Sequence, residues 1–371
     1  LGLSGQVINP FADPNQSEWV DAELQAIADS IIQLNAENLD GIGFKMEVHA
    51  IEKAGKTFFA MSASSLSTDN PNLTPGLRTL LEKKIIPIGE PVFIIDTERK
   101  AKKLKFHPAF RHKDIRIKEI FCPDNNKPYH INPTEALKQF YQTLLYIAKN
   151  FETGTIVIDS VTDVTNWIRK YIQYVLVQRG AEGSELMEMI RLQPSDWMVR
   201  DDIWGWLLPY LQGLKQHIIM TSREKEDMEF EPDPDRPGKT RVRRTGNFSP
   251  RRFKDIPFNI DVEFRLMFEY DGHGNKLGRK GSIITSQYDD IIDPAPDSGI
   301  IPLRRQELKN PTYVKLVEMI CPISHGYLLD EMRAKESLQE QPQEQPAKPA
   351  QKKTKKTQQT TEVVEQEDSI V

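Results

Sequence analysis

The chain has 371 residues, 38% of them hydrophobic, a formal net charge of −5 and two cysteines, Cys122 and Cys321. That length holds one large domain or two small ones around a real core. Two cysteines without a CxxC or Cys/His cluster argue against a disulfide scaffold and a structural zinc site and fit a reducing, cytoplasmic setting, and no apolar run approaches the ~20 residues of a membrane span.

In chain order, residues 1–39 read as an N-terminal arm followed by a helix. Ser17 is positioned to cap that helix, and Val20, Leu24, Ile27, Ile31 and Leu34 share one face. Asp40-Gly41-Ile42-Gly43 turns the chain into Phe44–Ala63, the stretch on which the rest is organised. Phe44, Met46 and Val48 alternate with Lys45, Glu47 and His49, as a half-buried strand does. A loop ending in Gly55-Lys56-Thr57 leads into an apolar helical run. Strand, Gly-Lys-Thr loop and helix make the layout of a phosphate-binding loop. Backbone N–H groups there would cradle phosphate, Lys56 would neutralise the β- and γ-phosphates, and the Thr57 hydroxyl would ligate Mg²⁺. The candidate nucleotide-binding residues are Ala50, Ile51, Glu52, Lys53, Ala54, Gly55, Lys56, Thr57 and Phe58. Ala50 stands where the motif G-x-x-x-x-G-K-[ST] has its first Gly, and a Cβ there restricts backbone angles with φ > 0.

Residues 64–90 read as a surface insertion with a short helix near Leu77–Lys84. Pro91–Asp96 is a near-continuous apolar strand, and residues 99–133 form a second, basic insertion. A helix runs from Pro133 to about Asn150. Thr155–Ser160 is another buried strand ending in a carboxylate. Helices follow over Val164–Arg179 and Asp201–Lys215, then a strand over His217–Ser222. Residues 224–254 form a charged loop or hairpin. Asp261–Phe268 and Gly281–Ser286 read as a late antiparallel addition. Alternating strands and helices predict an α/β fold with a largely parallel sheet flanked by helices over residues 40–295. Residues 296–332 extend it. Residues 333–371, rich in Gln, Glu, Lys, Pro and Thr, read as a disordered tail that could engage a protein partner.

Three strand ends carry the expected chemistry. Asp159, ending TIVID, would hold Mg²⁺ with Thr57. Glu98, just after VFIID, could orient and deprotonate the water that attacks the γ-phosphate. Ligands in open α/β sheets bind at the carboxyl ends of the strands, where Lys56, Glu98 and Asp159 would converge. From Arg236 to Lys254 there are eight basic residues and no acidic one, interleaved with Phe248 and Phe253, while Glu224 to Asp235 holds seven acidic residues. Two readings stay open. Arg241, Arg243, Arg244, Arg251 and Arg252 could contact single-stranded DNA, or the two arms could pair with each other. Trp204 and Trp206 read as core rather than as a base-binding platform.

The residues AGKT at 54–57, VFIIDTE at 92–98, TIVIDSVTDVTN at 155–166, HIIMTSRE at 217–224 and TGNFSPRRFKDIPFNIDVEFRL at 245–266 give the chain a resemblance. Over roughly residues 40–290 it resembles RecA-like P-loop ATPases of the AAA/RecA superfamily, most nearly the divergent phage and prokaryotic ATPases linked to single-strand annealing. The resemblance implies an ATP- and Mg²⁺-dependent hydrolase acting in DNA recombination, repair or annealing, with Glu98 as general base. It also implies a polar sensor at Thr221 or Ser222 and a homo-oligomeric ring or filament. A neighbouring subunit would supply a cation, with Arg223, Arg251, Arg252, Arg279 and Lys280 as candidates. A helicase or packaging motor, and a nucleotide-gated protein-interaction ATPase without DNA binding, are the alternatives.

Overall fold

The computed structural model describes residues 43–124, 131–178, 192–232, 236, 239–286 and 307–324. The expected N-terminal helix and C-terminal tail lie outside these residues. The chain enters through β1 (Lys45–Ala50) and turns into α1 (Lys56–Met61), which tightens into a 3₁₀ turn over Ser62–Ser65. Next come α2 (Pro75–Glu82), β2 (Val92–Asp96), α3 (Ala101–Lys105), β3 (Ile115–Glu119), α4 (Pro133–Asn150) and β4 (Thr155–Asp159). Helices α5 (Val161–Gln178) and α6 (Pro194–Gly213) lead to the long β5 (His217–Pro232) and β6 (Thr240–Pro250). β7 (Val262–Tyr270), β8 (Lys276–Ser286), β9 (Glu307–Lys309) and α7 (Tyr313–Ser324) complete the described chain.

The sheet order is β3-β2-β4-β5-β1-β7-β8-β9, with β6 paired to the outer half of β5. From β3 to β7 every pairing is parallel, which brings the carboxyl ends of β1, β2, β4 and β5 to one edge. β8 and β9 are antiparallel additions. The expected α/β architecture holds, with three corrections. β7 was expected to belong to the antiparallel addition, but it runs parallel to β1 and antiparallel only to β8. The insertion 99–133 contributes β3, which pairs with β2 and widens the sheet; its mixed Ile-Arg-Ile-Lys-Glu sequence suits a strand at a sheet edge. Helix α6 starts at Pro194, earlier than the apolar periodicity suggests, because Gln193 and Asp196 form a capping box.

The apolar faces of α4, α5 and α6 cover β2 and β4, with Phe140, Leu144, Ile168, Trp204 and Leu207 in the resulting core. Trp204 stacks on Phe253 at 5.4 Å. Phe253 is therefore a core residue and not part of a base-stacking surface; only Phe248 remains exposed.

A fourth correction concerns β1. Its alternation predicts one wet face, yet all six residues are buried. A central parallel strand has both faces covered, so its polar residues need internal partners. Lys45 finds three: its Nζ donates to Gly43 O at 2.9 Å, Leu214 O at 2.5 Å and Gln216 O at 2.8 Å. These bonds tie the start of β1 to the α6–β5 connection. Burial pushes the Lys45 pKa down to about 7, against the attraction of Asp261.

Replacing Lys45 with Met would strip three buried carbonyls of a donor. Lys45→Met should destabilise the fold by about 2–3 kcal/mol or more, since an unsatisfied buried polar group costs about 1–3 kcal/mol. In the parent, the unfolded chain holds the Lys45 proton up to its ordinary pKa while the folded chain releases it near 7. The parent therefore gains stability relative to Lys45→Met as pH rises from 7 towards 9. Urea unfolding at several pH values measures both effects; a gap that shrinks with rising pH would refute the assignment.

Candidate functional site

The loop between β1 and α1 is built on two left-handed positions, Lys53 at φ 62° and Gly55 at φ 99°. Gly55 caps α1 without a side-chain bond. Ala50 is the last residue of β1, paired in register with Arg223, and its φ is not positive. The restriction expected from a Cβ at Ala50 therefore does not arise, because the left-handed turn falls three residues later. Lys56 opens α1, is buried, and donates from Nζ to Ala50 O at 3.2 Å and Ile51 O at 3.5 Å. Burial lowers its pKa, opposed by Asp159 and Glu98.

Asp159 ends β4 in register with Asp96 of β2 on one side and Thr221 of β5 on the other. Thr57 Oγ1 donates to its Oδ2 at 2.6 Å and Thr221 Oγ1 to its Oδ1 at 2.5 Å. The carboxyl is 2% exposed, and burial raises its pKa against these two donors. One carboxylate thus joins the loop helix, β4 and β5. Thr221 and Ser222 were equal candidates for the polar sensor. The two-residue period of a strand separates them, and Ser222 Oγ donates instead to Glu47 Oε1 at 2.5 Å, on the other face.

Glu98 lies two residues beyond β2, and Asp96 fixes its backbone. The Asp96 carboxylate accepts from the N–H groups of Glu98 at 3.0 Å, Arg99 at 2.7 Å and Ala101 at 2.8 Å. Glu98 Oε1 accepts from Arg223 Nε at 2.7 Å and Oε2 from Lys100 Nζ at 2.6 Å. Burial opposes its charge, but Lys100 and Arg223 outweigh that and hold its pKa below the usual carboxylate range. Arg223 also donates to Asp163 Oδ2 at 2.7 Å. Asp163 accepts from Thr97 Oγ1 at 2.7 Å, so β2, β5 and the first turn of α5 share one polar knot.

The five candidate trans-acting cations fall in different places. Arg223 pairs within its own chain, as above. Arg252 is half-buried, paired with Glu47 and with Glu263, 2.9 Å from the latter, and lies beyond the end of β6. Lys280 pairs with Glu307 at 2.8 Å. Arg251 is exposed and has no ion-pair partner among the described residues. The Arg279 guanidinium lies against Gly55.

The segment after the sensor strand is a hairpin. β5 pairs antiparallel with β6, setting Glu229 opposite Arg243 and Glu231 opposite Arg241. Arg241 lies 2.5 Å and Arg243 3.6 Å from Glu231, and Arg244 lies 3.5 Å from Glu226. The acidic and basic arms pair with each other, which was one of the two sequence readings.

Sequence reasoning missed a buried charge cluster at the end of β1. His49 Nδ1 lies 2.7 Å from Glu224 Oε1 and its Nε2 3.1 Å from Glu263 Oε1, while Arg265 donates to both Glu224 oxygens. Burial opposes the charge on His49, but the bonds to Glu224 and Glu263 prevail and raise its pKa. The available signal was polar residues in a central strand together with Glu263 and Arg265 in a strand that pairs with it; a wet-face reading of β1 hid it.

No known family profile and no curated protein matches the sequence. Solved structures to which the chain is similar include the following two. A KaiC-like protein from the hyperthermophilic archaeon Pyrococcus horikoshii OT3 shares 15% identity over 67% of this chain and 87% of that one, with a TM-score of 0.33. An ATPase from the type III secretion system of pathogenic bacteria shares 15% identity over 61% of this chain and 52% of that one, with a TM-score of 0.29. Likenesses this low fix neither family nor activity. Among the described residues no helix is long and apolar enough to cross a membrane.

The Asp159 geometry is testable without any ligand. Thr221→Val should destabilise the protein by about 1–3 kcal/mol at pH 7, the cost of removing a partner from a buried polar group. It should also push the Asp159 pKa further up, so the stability gap should narrow as pH falls and the carboxyl protonates in both proteins. Urea unfolding at pH 7 and pH 5 reads both; an equal gap at the two pH values would place the cost elsewhere.

Proposed function

We propose that this chain is a RecA-like P-loop ATPase that binds ATP at the Gly55-Lys56-Thr57 loop and hydrolyses it. The observation that carries the reading is the convergence of Lys56, the Thr57–Asp159–Thr221 triad and Glu98 at the carboxyl edge of a parallel sheet. Lys56 binds the β- and γ-phosphates. Thr57 and Asp159 offer two hard oxygens 2.6 Å apart. Among the described residues there is no cluster of three or more His, Cys, Asp or Glu suited to a metal. That donor set fits Mg²⁺, which takes one or two protein oxygens and completes its shell with phosphate and water. When bound, the ion neutralises charge on the phosphates. Glu98, held ionised by Arg223 and Lys100, accepts the proton of the attacking water as the O–P bond forms and the β–γ bridge breaks.

Lys56→Ala should abolish turnover. Glu98→Gln should retain ATP binding and hydrolyse it at least ~100-fold slower, the low end for losing general-base catalysis. Binding and steady-state phosphate release measured on both variants test this. Turnover by Lys56→Ala at the parent rate would sink the phosphate-loop reading, and loss of binding in Glu98→Gln would make Glu98 structural.

We further infer a role in DNA recombination, repair or annealing, with the chain assembling into rings or filaments and the hairpin contacting single-stranded DNA. The exposed Arg251 and the basic run of β6 support it. The pairing of Arg241 and Arg243 with Glu231 favours a second reading, a nucleotide-gated protein-interaction ATPase, because DNA would have to displace those carboxylates. Oligonucleotide titrations at several salt concentrations separate the two. DNA contact predicts that replacing Arg241, Arg243, Arg244 and Arg251 with Ala flattens the log–log salt slope by roughly three units, at about 0.7 per phosphate contact. An unchanged slope, with a defect only in stability or assembly, selects the interaction reading.

A further inference from the structure

Arg279 is the cation that this site reading leaves without a role inside the chain. It lies on β8, where it faces Phe268 of β7 and its carbonyl accepts from Asn310 N at 2.8 Å. Its guanidinium packs on the phosphate-loop glycine: a Cβ built on Gly55 would lie 2.9 Å from Arg279 Cζ and Nε. The neighbouring Lys280 is engaged by Glu307, whereas Arg279 has no ion pair among the described residues. Its Nε is shielded from solvent and has no hydrogen-bond partner among the described residues. A buried guanidinium N–H left without an acceptor is costly. Beside a loop read as holding phosphate, the acceptor it lacks is an anionic oxygen.

The sheet order gives this contact a direction. Glu98 follows β2, Asp159 ends β4 and Thr221 lies beside Asp159 on β5, and all three strands are on one side of β1. β8 lies on the other side, beyond β7. A triphosphate whose γ-phosphate points to Glu98 must run its α-phosphate and nucleoside the opposite way, towards Arg279. We propose that Arg279 acts in cis as a clamp on the nucleoside-proximal phosphates, a positioning residue for nucleotide binding and not the charge-stabilising cation of γ-phosphate transfer. This rests on the phosphate-loop reading above. A group that touches the part shared by ATP and ADP contributes equally to ground state and transition state, so its loss raises KM and spares kcat.

The test uses the full chain with ADP and a non-hydrolysable ATP analogue as probes in calorimetric titration, beside steady-state kinetics, for the parent, Arg279→Ala, Arg279→Lys and Lys56→Ala. Thermal unfolding checks that each variant folds, and Arg279→Gln replaces Arg279→Ala if the latter does not. The expected result is a rise of about ten- to hundred-fold in Kd for both probes with Arg279→Ala, the loss typical of a charged hydrogen bond. KM should rise in step, kcat at saturation should fall by less than about threefold, and Arg279→Lys should recover part of the loss. A collapse of kcat with unchanged ADP affinity would overturn the proposal, because it would put Arg279 at the γ-phosphate. Unchanged binding and kinetics would overturn it too. If Lys56→Ala binds both probes as the parent does, the phosphate-loop reading itself fails and takes the clamp with it.

Discussion

Asp159 is a carboxylate with almost no access to water, and burying it is tolerable only because two hydroxyls point at it. Those hydroxyls come from segments far apart in sequence. Thr57 is on the helix after the Gly-Lys-Thr loop, and Thr221 is on β5, which inserts between β1 and β4. The carboxylate therefore sets the distance of the loop helix from β4 and the register of β5 against β4. If either hydroxyl moves, a buried charge is left under-solvated. This couples the geometry of the candidate phosphate site to the order of the sheet.

β5 carries an unusual share of the remaining organisation. Thr221 satisfies Asp159, Ser222 satisfies Glu47, Arg223 holds Glu98 and Asp163, and Glu224 pairs with His49 and Arg265. Four successive residues reach both faces of the sheet by strand alternation alone. The same strand then leaves the sheet and becomes the first arm of the hairpin. A load on the hairpin is thus joined by continuous backbone to the side chain that holds Glu98 ionised. That arrangement suits both the DNA reading and the protein-interaction reading, since either partner would pull on the same strand.

The charged interior of β1 follows from its central place. Lys45, Glu47 and His49 would be stranded without partners, and the fold answers each with a different device: three carbonyls for Lys45, a hydroxyl and a guanidinium for Glu47, and two carboxylates for His49. Removing one member of such a cluster exposes the others to the full desolvation cost, which makes the set act as a unit.

Local pattern alone determined much of this protein. The apolar runs VFIID and TIVID announced buried parallel strands, Pro133 announced the start of α4, and Gly55-Lys56-Thr57 announced a strand-to-helix loop, because each is a property of neighbouring residues. Asp159 and Glu98 were legible for the same reason, as carboxylates at strand ends. Other features depended on what stands opposite. The polar row of β1 looked like a wet face until β5 and β7 covered it. Phe253 looked like a stacking residue until Trp204 lay on it. The arginines of β6 could face DNA or the acidic arm until an antiparallel register set them against Glu226 and Glu231. Arg279, more than two hundred residues from Gly55 in sequence, met it only through the placement of β8. Sequence fixes the period and the chemistry of a segment; which charge meets which is decided by strand order and register, and those are set by the packing of the whole sheet.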